Sequence, residues 1–393
     1  MMLKTSGFLF ALILPKRNPR SHAQLIQATA LAMITRMPTF DTRKAEAFAN
    51  RVLGHLNSAA FCLMASIGHR TGLFDAMRDQ PPLTSEALAK KAGLNERYVR
   101  EWLGAMVTAG VVDVDPATVA FSLPAEHAAY LTRAAAADNM AVFTQYIGLL
   151  GGVEDPIVDC FRNGGGVPYE QFPRFHEVMA EDSGQSVLSS IESHILPIVP
   201  GLSDSLTRGI RVLDAGCGRG KILLRLAALF PKSRFVGLDL SGEMTDAARA
   251  EAARLGLRNV EFAAVDLSTF DERAEPSAFD LITTFDAIHD QAKPLKVLKG
   301  IHTALEADGV YLMQDIKGSS HVHLNLDHPL GTFLYTVSCM HCMTVSLAQG
   351  GEGLGAMWGE EKTREYLARA GFRSVEKHEL AHDIQNNWYV VRK

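Results

Sequence analysis

Three glycines at alternate positions end the segment RVLDAGCGRG, which spans residues 211–220. Gly216, Gly218 and Gly220 follow an apolar run and precede a helical pattern, so they are predicted to join a strand to a helix. Glycine lets the backbone approach a ligand closely, and the N-terminus of a helix favours electronegative groups. The turn therefore predicts a ligand site, although a glycine-rich turn alone does not identify the ligand.

Two carboxylates stand at the ends of the next two predicted strands. Asp239 ends the second strand, 25 residues after Asp214, where a carboxylate can accept hydrogen bonds from both hydroxyls of a ribose. Asp266 ends the third strand, where it can accept a hydrogen bond from an adenine amino group while Leu267 packs on the ring. Together with the glycine turn, these positions indicate a ligand that contains a nucleoside.

The segment FDAIHDQ follows the fourth predicted strand, whose carboxyl end faces the ligand edge of an open α/β sheet. It contains His289 and Asp290. Imidazole, with an ordinary pKa of about 6.5, can act as a general base that removes the proton of a reacting hydroxyl group. The alternative is that His289 caps a helix predicted over residues 291–306 or hydrogen-bonds within the core.

The elements that must hold these groups begin at Gly209, where strands and helices alternate. The first four predicted strands are uniformly apolar, which is typical of a parallel sheet covered by helices on both faces. They lie in IRVLDAG, RFVGLDL, VEFAAVDL and FDLITTFDAI. GVYLMQDI is a further strand, and SVEKHEL and WYVVRK suit a final strand pair. The second half of the chain is therefore predicted to be an α/β domain.

The composition limits the classes of protein to consider. The chain has 393 residues, 47% of them hydrophobic and 21% charged, with a formal charge of −5. This length suggests two or three domains, and the negative charge argues against a general polyanion binder. Five scattered cysteines give no disulfide framework, which fits a reducing compartment. No apolar run of about 18 residues occurs, so no membrane span is predicted.

Residues before 133 have the pattern of a winged helix. Thr84 or Ser85 is predicted to cap a short helix that ends at Gly93, and Asn95 to cap a second helix. The second helix carries four apolar residues on one face: Val99, Trp102, Leu103 and Met106. The segments VVDV and VAFSL then suit a short hairpin.

The charge of this module argues against DNA binding. Residues 61–132 contain six basic and eight acidic residues, a net charge of −2. A DNA-binding face is expected to be basic, because phosphate contacts supply most of the non-specific affinity. The module is therefore predicted to serve packing and dimerisation.

The motifs VLDAGCGRG, GLDLS and AAVDL resemble the S-adenosylmethionine site of class I methyltransferases. The whole chain is similar to small-molecule methyltransferases with an N-terminal winged-helix domain, a layout shared by plant O-methyltransferases and a bacterial family of unsettled function. The resemblance implies a Rossmann-like, seven-stranded sheet with a reversed last strand. It implies these cofactor residues: Asp214, Gly216, Gly218, Asp239, Leu240, Asp266, Leu267 and Phe285. A NAD-type dehydrogenase is disfavoured, because its turn has G-x-G-x-x-G spacing.

The resemblance also bears on catalysis. In plant O-methyltransferases a His-Asp pair after the fourth strand supplies the general base, and His289 and Asp290 match it. The tryptophan usual after that pair is Gln291 here, which puts the match in doubt.

Residues 319–358 form an unusually long connection and are predicted to be a lid over the acceptor. Tyr335, His341 and Trp358 are expected to shape an apolar substrate pocket. A lone C-x-x-C among scattered histidines is a weak metal signal, so no metal site is predicted.

The predicted layout is an extension over 1–40, a helical and winged-helix dimerisation domain over 41–132, a helical connector over 133–203 and a methyltransferase domain over 204–393. Most aromatic residues of the connector are expected in its core and a few in a pocket. The extension has no acidic residue and several basic ones, so it is either a disordered segment or a mitochondrial presequence. Apart from that alternative, a cytoplasmic location is expected.

The predicted function is S-adenosylmethionine-dependent methyl transfer to a small, partly apolar acceptor, with oxygen as the expected acceptor atom. The expected partners are that acceptor and a second copy of the chain, with no nucleic acid and no membrane. The alternative is a winged-helix DNA-binding regulator that uses the cofactor as an effector.

Overall fold

The structure is a computed structural model that describes residues 40–393. The prediction for the extension over 1–40 therefore lies, except for Phe40, outside the described residues. The chain divides into two compact units, one that ends at Leu56 and one that begins at Asn57. Helix α1 spans Thr42–Thr71. No helix among the described residues is both long and apolar enough to cross a membrane.

The winged-helix module is built as its caps predict. Its elements are α2 (Leu73–Met77), α3 (Ser85–Ala92), α4 (Glu96–Thr108) and an antiparallel pair of short strands, β1 (Asp113–Asp115) and β2 (Ala120–Ser122). The Thr84 side chain accepts a hydrogen bond from the backbone N–H of Ala87, and the Asn95 side chain accepts one from that of Arg97. The four apolar residues predicted for one face of α4 are buried.

Helices connect this module to the sheet. They are α5 (Ala125–Leu131), α6 (Ala141–Gly151), α7 (Glu154–Asn163), α8 (Phe175–Ser183) and α9 (Leu202–Arg208), with two π-helical turns (Gly184–Leu188 and Ile191–Ile195) between the last two. Tyr146, Phe172 and Phe175 are buried in one apolar cluster of this region. The expected core role of the connector aromatics thus holds for these three.

Seven strands form the sheet of the second half: β3 (Arg211–Ala215), β4 (Arg234–Asp239), β5 (Val260–Ala264), β6 (Phe279–Phe285), β7 (Leu305–Ile316), β8 (Ser374–His378) and β9 (Asn386–Arg392). Their order is β5-β4-β3-β6-β7-β9-β8. Strands β3 to β7 pair in parallel, whereas β9 runs antiparallel to both of its neighbours. The predicted seven-stranded sheet with a reversed last strand is confirmed.

Helices cover both faces of the sheet because the parallel strands are apolar on both sides. They are α10 (Lys221–Leu229), α11 (Gly242–Arg254), α12 (Phe270–Arg273) and α13 (Pro294–Ala304). The long connection after β7 is itself helical: α14 (Gly331–Val337), a π-helical turn (Ser338–Cys342) and α15 (Met343–Ala348) precede α16 (Gly359–Ala370). Val337, Met340 and Val345 of this connection pack into the aromatic cluster of the connector helices.

Helix α1 packs closely against the winged-helix module at Gly68. A Cβ at this position would lie 2.6 Å from Cζ2 of Trp102 and 2.9 Å from Cε2 of Phe74. The indole cannot move aside freely, since it is buried and donates its N–H to the carbonyl oxygen of Met64 at 2.9 Å. We expect Gly68→Ala to lower the free energy of unfolding by about 1–3 kcal/mol.

The matched control is Gly104→Ala in α4, where an added Cβ would meet no atom within 4 Å. Replacing this helical glycine should leave stability unchanged or raise it by up to about 1 kcal/mol. Urea unfolding of the full chain measures both changes. Equal effects of the two substitutions would show that the close approach of Trp102 to Gly68 does not constrain the module.

Candidate active site

A cavity of about 680 Å³ opens at the carboxyl ends of the parallel strands, the edge at which open α/β sheets bind ligands. All eight residues predicted to hold a cofactor line it: Asp214, Gly216, Gly218, Asp239, Leu240, Asp266, Leu267 and Phe285. The strands bring these positions together because the ends of β3, β4, β5 and β6 are neighbours in the sheet. The binding roles of the residues remain predictions.

The glycine turn has a backbone that other residues rarely adopt. Gly216, Gly218 and Gly220 have φ angles of 86°, 52° and 64°, in the left-handed region. A Cβ on Gly216 would lie 2.6 Å from that of Ala287, whereas a Cβ on Gly218 would meet no atom within 4 Å. Gly216 is thus required by packing. At Gly218, which lines the cavity, the open space leaves the backbone accessible to a ligand.

The Asp239 carboxylate is fixed in place at the end of β4. Its Oδ2 accepts the N–H of Gly218 at 2.7 Å, and its Oδ1 accepts the N–H of Ser241 at 2.9 Å. Each carboxylate oxygen can accept more than one hydrogen bond. The group is therefore oriented by the backbone and can still bind a pair of ligand hydroxyls.

Asp214 lies deeper, at the end of β3, and is 2% exposed. Burial raises the pKa of its carboxyl group to about 7, although a hydrogen bond from the Thr283 hydroxyl at 2.8 Å opposes that rise. At the end of β5, Asp266 accepts the N–H of Ser268 at 2.8 Å, and Leu267 beside it is buried. Asp214 supports the floor of the cavity, while Asp266 and Leu267 form one side.

His289 and Asp290 have different positions. Asp290 lines the cavity, and burial raises the pKa of its carboxyl group to about 6 while the charge of His289 opposes the rise. His289 is 3% exposed and does not line the cavity. The helix after it begins at Pro294, so His289 does not cap that helix. The structure contains the core hydrogen bond of the alternative interpretation.

That hydrogen bond joins Nδ1 of His289 to Oδ1 of Asp315 at 2.7 Å. Burial by itself lowers the pKa of His289, but the Asp315 carboxylate and the Cys342 side chain together outweigh burial and hold that pKa well above its usual value. The side chain of Cys342, in the long connection after β7, interacts with the same imidazole.

The structure corrects the predicted substrate pocket, because Tyr335, His341 and Trp358 do not line the cavity. His341 is 1% exposed and stacks on Phe175, with ring centroids 3.4 Å apart. The indole N–H of Trp358 donates to Oδ1 of Asp315 at 3.0 Å, and the hydroxyl of Tyr335 accepts from the Asn325 amide. The connection folds as packed helices, which places these three side chains behind the cavity wall.

Residues other than Tyr335, His341 and Trp358 form this wall of the cavity. Tyr169, Phe172 and His176 of the connector line the cavity, as do Val345 and Gln349 of the long connection. Tyr169 and His176 are stacked, with ring centroids 4.6 Å apart. The cavity thus has an aromatic side, in agreement with the expectation that a few connector aromatics line a pocket.

Sequence reasoning missed Asp286 and Asp315. Asp286 directly follows β6 and lines the cavity, with a φ of 49°. Asp315 lies near the end of β7, the parallel neighbour of β6. A carboxylate at the end of a predicted strand was the available signal for Asp315, but which strand lies beside β6 is a property of the fold.

Two protein families match separate parts of the chain. Residues 59–133 match the Rv2258c-like winged HTH domain, and residues 206–371 match a methyltransferase domain. The chain joins a winged-helix domain to a methyltransferase domain. The predicted resemblance and fold class are thereby confirmed.

Individual proteins that are similar to this chain are also methyltransferases. The malonyl-[acyl-carrier protein] O-methyltransferase of Geobacter sulfurreducens is 28% identical over 42% of this chain and 57% of its own length. The methyltransferase ungE' of Aspergillus campestris is 23% identical over 82% of this chain and 91% of its own. The mitomycin 7-O-methyltransferase MmcR has a similar structure, with a TM-score of 0.64 and 19% identity over 90% of this chain and all of its own; it shows the fold.

The extent of these matches limits what they say about the whole protein. The chain spans between 28 and 57% of the length of the first curated relatives it matches, so they describe the methyltransferase domain and not the whole chain.

Proposed function

We propose that the protein transfers a methyl group from S-adenosylmethionine to a small-molecule acceptor, with oxygen as the acceptor atom. The observation that carries this proposal is the cavity in the matched methyltransferase domain, which combines the open glycine turn with the fixed carboxylates of Asp239 and Asp266. The cofactor supplies an electrophilic methyl group on a sulfonium sulfur. The relatives named above include two O-methyltransferases, which supports oxygen.

The residues present fit this cofactor. Asp239, held by the N–H groups of Gly218 and Ser241, can accept from both ribose hydroxyls. Asp266 can accept from the adenine amino group, and Leu267 beside it can pack on the ring. The open face of Gly218 leaves room for the polar chain of the amino acid part.

The acceptor end of the cavity is assigned to the side where Asp286 and Asp290 meet the aromatic wall. Tyr169 and Phe172 offer apolar contact, and the two carboxyl groups offer polar contact. This combination suits a small acceptor that is partly apolar. Catalysis then depends mainly on holding the acceptor in line with the methyl group.

Removal of the acceptor proton is assigned to the centre around His289. Asp315 accepts from Nδ1 and thereby fixes the ring orientation, so that Nε2 takes the acceptor's proton when the imidazole is in its neutral form. His289 is buried beside Cys342 of the long connection after β7, so a local movement of that connection would open the imidazole to the acceptor. Such a movement would give the connection the lid role that its length predicts.

A DNA-binding regulator gains no support from α4, the would-be recognition helix. Its Arg97 and Arg100 pair with Glu101 and Glu96 at 2.5 and 2.6 Å, so its exposed cations are already neutralised. A second copy of the chain is the better partner for the N-terminal region. Phe48, Val52 and Leu56 of α1 are 58, 47 and 65% exposed and recur every four residues, which puts them on one side of the helix.

The first prediction from this proposal concerns the cofactor. Asp239→Ala should raise the Kd for S-adenosylhomocysteine by roughly 30- to 1,000-fold, on the order of 2–4 kcal/mol, because a charge-assisted contact to two hydroxyls is lost. Isothermal titration calorimetry measures the change. Asp246→Ala, a surface carboxylate of α11 paired with Arg249, should leave Kd unchanged. Unchanged affinity in Asp239→Ala would remove this residue from the site.

The second prediction concerns the proton. His289→Gln should lower turnover by about 10²–10⁴-fold and leave cofactor affinity within about twofold, because a base acts only as the proton leaves. Release of S-adenosylhomocysteine during an acceptor screen measures turnover. The control is His323→Gln, an exposed histidine of the long connection. Near-normal turnover of His289→Gln would refute its assignment to proton removal.

The third prediction concerns assembly. The protein should have twice its chain mass of 42.8 kDa in light scattering, and Leu56→Asp should shift it toward the monomer by placing a charge in the apolar contact. Asn50→Asp adds the same charge on the opposite side of α1 and should leave the dimer intact. A monomeric wild-type protein would contradict the proposed dimer.

A further inference from the structure

Three metal-ligating side chains meet beside the cavity, outside the set that the sequence predicts for the cofactor. The ligand atoms of Asp286, His289 and Asp315 all lie within 4.8 Å of one another. Metal–ligand bonds of about 2.1 Å place neighbouring ligand atoms ~3.0 Å apart and opposite ones ~4.2 Å apart. The bound of 4.8 Å is slightly above this range, so small side-chain rotations would bring the three ligand atoms to a single ion.

The hydrogen bonds around Asp315 are unevenly divided between its two oxygens. Oδ1 accepts from Nδ1 of His289 at 2.7 Å, from the indole N–H of Trp358 at 3.0 Å and from the backbone N–H of Ile316 at 2.8 Å. Oδ2 is buried and has no hydrogen-bond partner among the described residues. Asp315 is only 1% exposed, so bulk water does not reach this oxygen. An unpartnered buried carboxylate oxygen is costly.

Asp286 repeats this pattern on the cavity side. Its Oδ1 is also buried without a hydrogen-bond partner among residues 40–393. The two unpartnered carboxylate oxygens and the adjacent imidazole of His289 form a set of ligands that a bound cation would satisfy.

We propose that Asp286, His289 and Asp315 bind one divalent transition-metal ion. One imidazole and two carboxylates form a ligand set for ions such as Mn²⁺ or Fe²⁺. The ion takes the place of the Nδ1 proton of His289, which is released on binding. The bonds from Trp358 and Ile316 remain on Oδ1 and orient Asp315, as outer hydrogen bonds commonly do for metal ligands.

The consequence for the reaction rests on the proposed function, whereas binding of the ion does not. Asp286 lines the cavity, so an ion that it helps to hold would lie beside the acceptor end. Such an ion would lower the pKa of a coordinated hydroxyl group, and the carboxylate of Asp290, which lines the same cavity, would take the proton. With the ion present, His289 is a ligand, and the ion performs the activation that His289 performs without it.

The test titrates the full-length, chelator-treated protein with Mn²⁺ and follows the electron paramagnetic resonance signal of the free ion. We expect one bound ion per chain, with affinity weakened at least tenfold by Asp286→Asn and by Asp315→Asn. Asp246→Asn makes the same change at a surface carboxylate of α11 and should leave Mn²⁺ affinity unchanged. No saturable binding by the wild type, or equal weakening by Asp246→Asn, overturns the proposal.

One further measurement separates loss of the metal site from loss of the fold. Calorimetry with S-adenosylhomocysteine on each variant shows whether the fold and the cofactor end are intact, and Asp286→Asn carries the test alone if Asp315→Asn does not fold. Cofactor binding without Mn²⁺ binding refutes the metal site and leaves the proposed function standing. Mn²⁺ binding that survives in folded Asp286→Asn also refutes the assigned ligand set.

Discussion

The carboxyl ends of β3, β4, β5, β6 and β7 meet at one edge of the sheet, and nearly every polar group of the candidate site lies in or just after one of those ends. Asp214 and Asp239 lie within the ends of β3 and β4 and Asp266 just after β5, whereas Asp286 follows β6 and Asp315 lies within the end of β7. Parallel pairing makes this crowding unavoidable. The sheet therefore determines both where a nucleoside can bind and where several carboxylates must be kept apart or neutralised.

Asp315 links this edge to the long connection after β7. Its Oδ1 accepts hydrogen bonds from His289, which lies in the loop after β6, and from Trp358, which lies at the end of the connection. Removing the carboxylate would take the hydrogen-bond partner from these two buried side chains and from the backbone N–H of Ile316, which is costly in the interior. The same bonds explain why Trp358 is unavailable to a substrate: its polar atom is already committed to the carboxylate beside His289.

Positions that a local pattern determines could be predicted from the sequence. The position of Asp239 could be predicted because an apolar strand next to a glycine turn shows where its carboxyl end lies. The helix caps Thr84 and Asn95 could be predicted because a cap bonds only to backbone N–H groups a few residues away. The pairing of His289 with Asp315 could not be derived in this way. It depends on the register of β6 and β7, in which Phe285 lies opposite Gln314, and that register is a property of the assembled sheet.

The prediction of the substrate pocket was wrong for a similar reason. Tyr335, His341 and Trp358 lie in a connection whose length suggested an open lid, yet its helices pack against the connector aromatics. His341 is buried against Phe175, and Cys342 beside it interacts with His289. One short π-helical turn thus contacts both the connector aromatics and the histidine after β6. Its packing cannot change without disturbing both contacts, which is why a pattern of residues within the connection alone could not place these side chains.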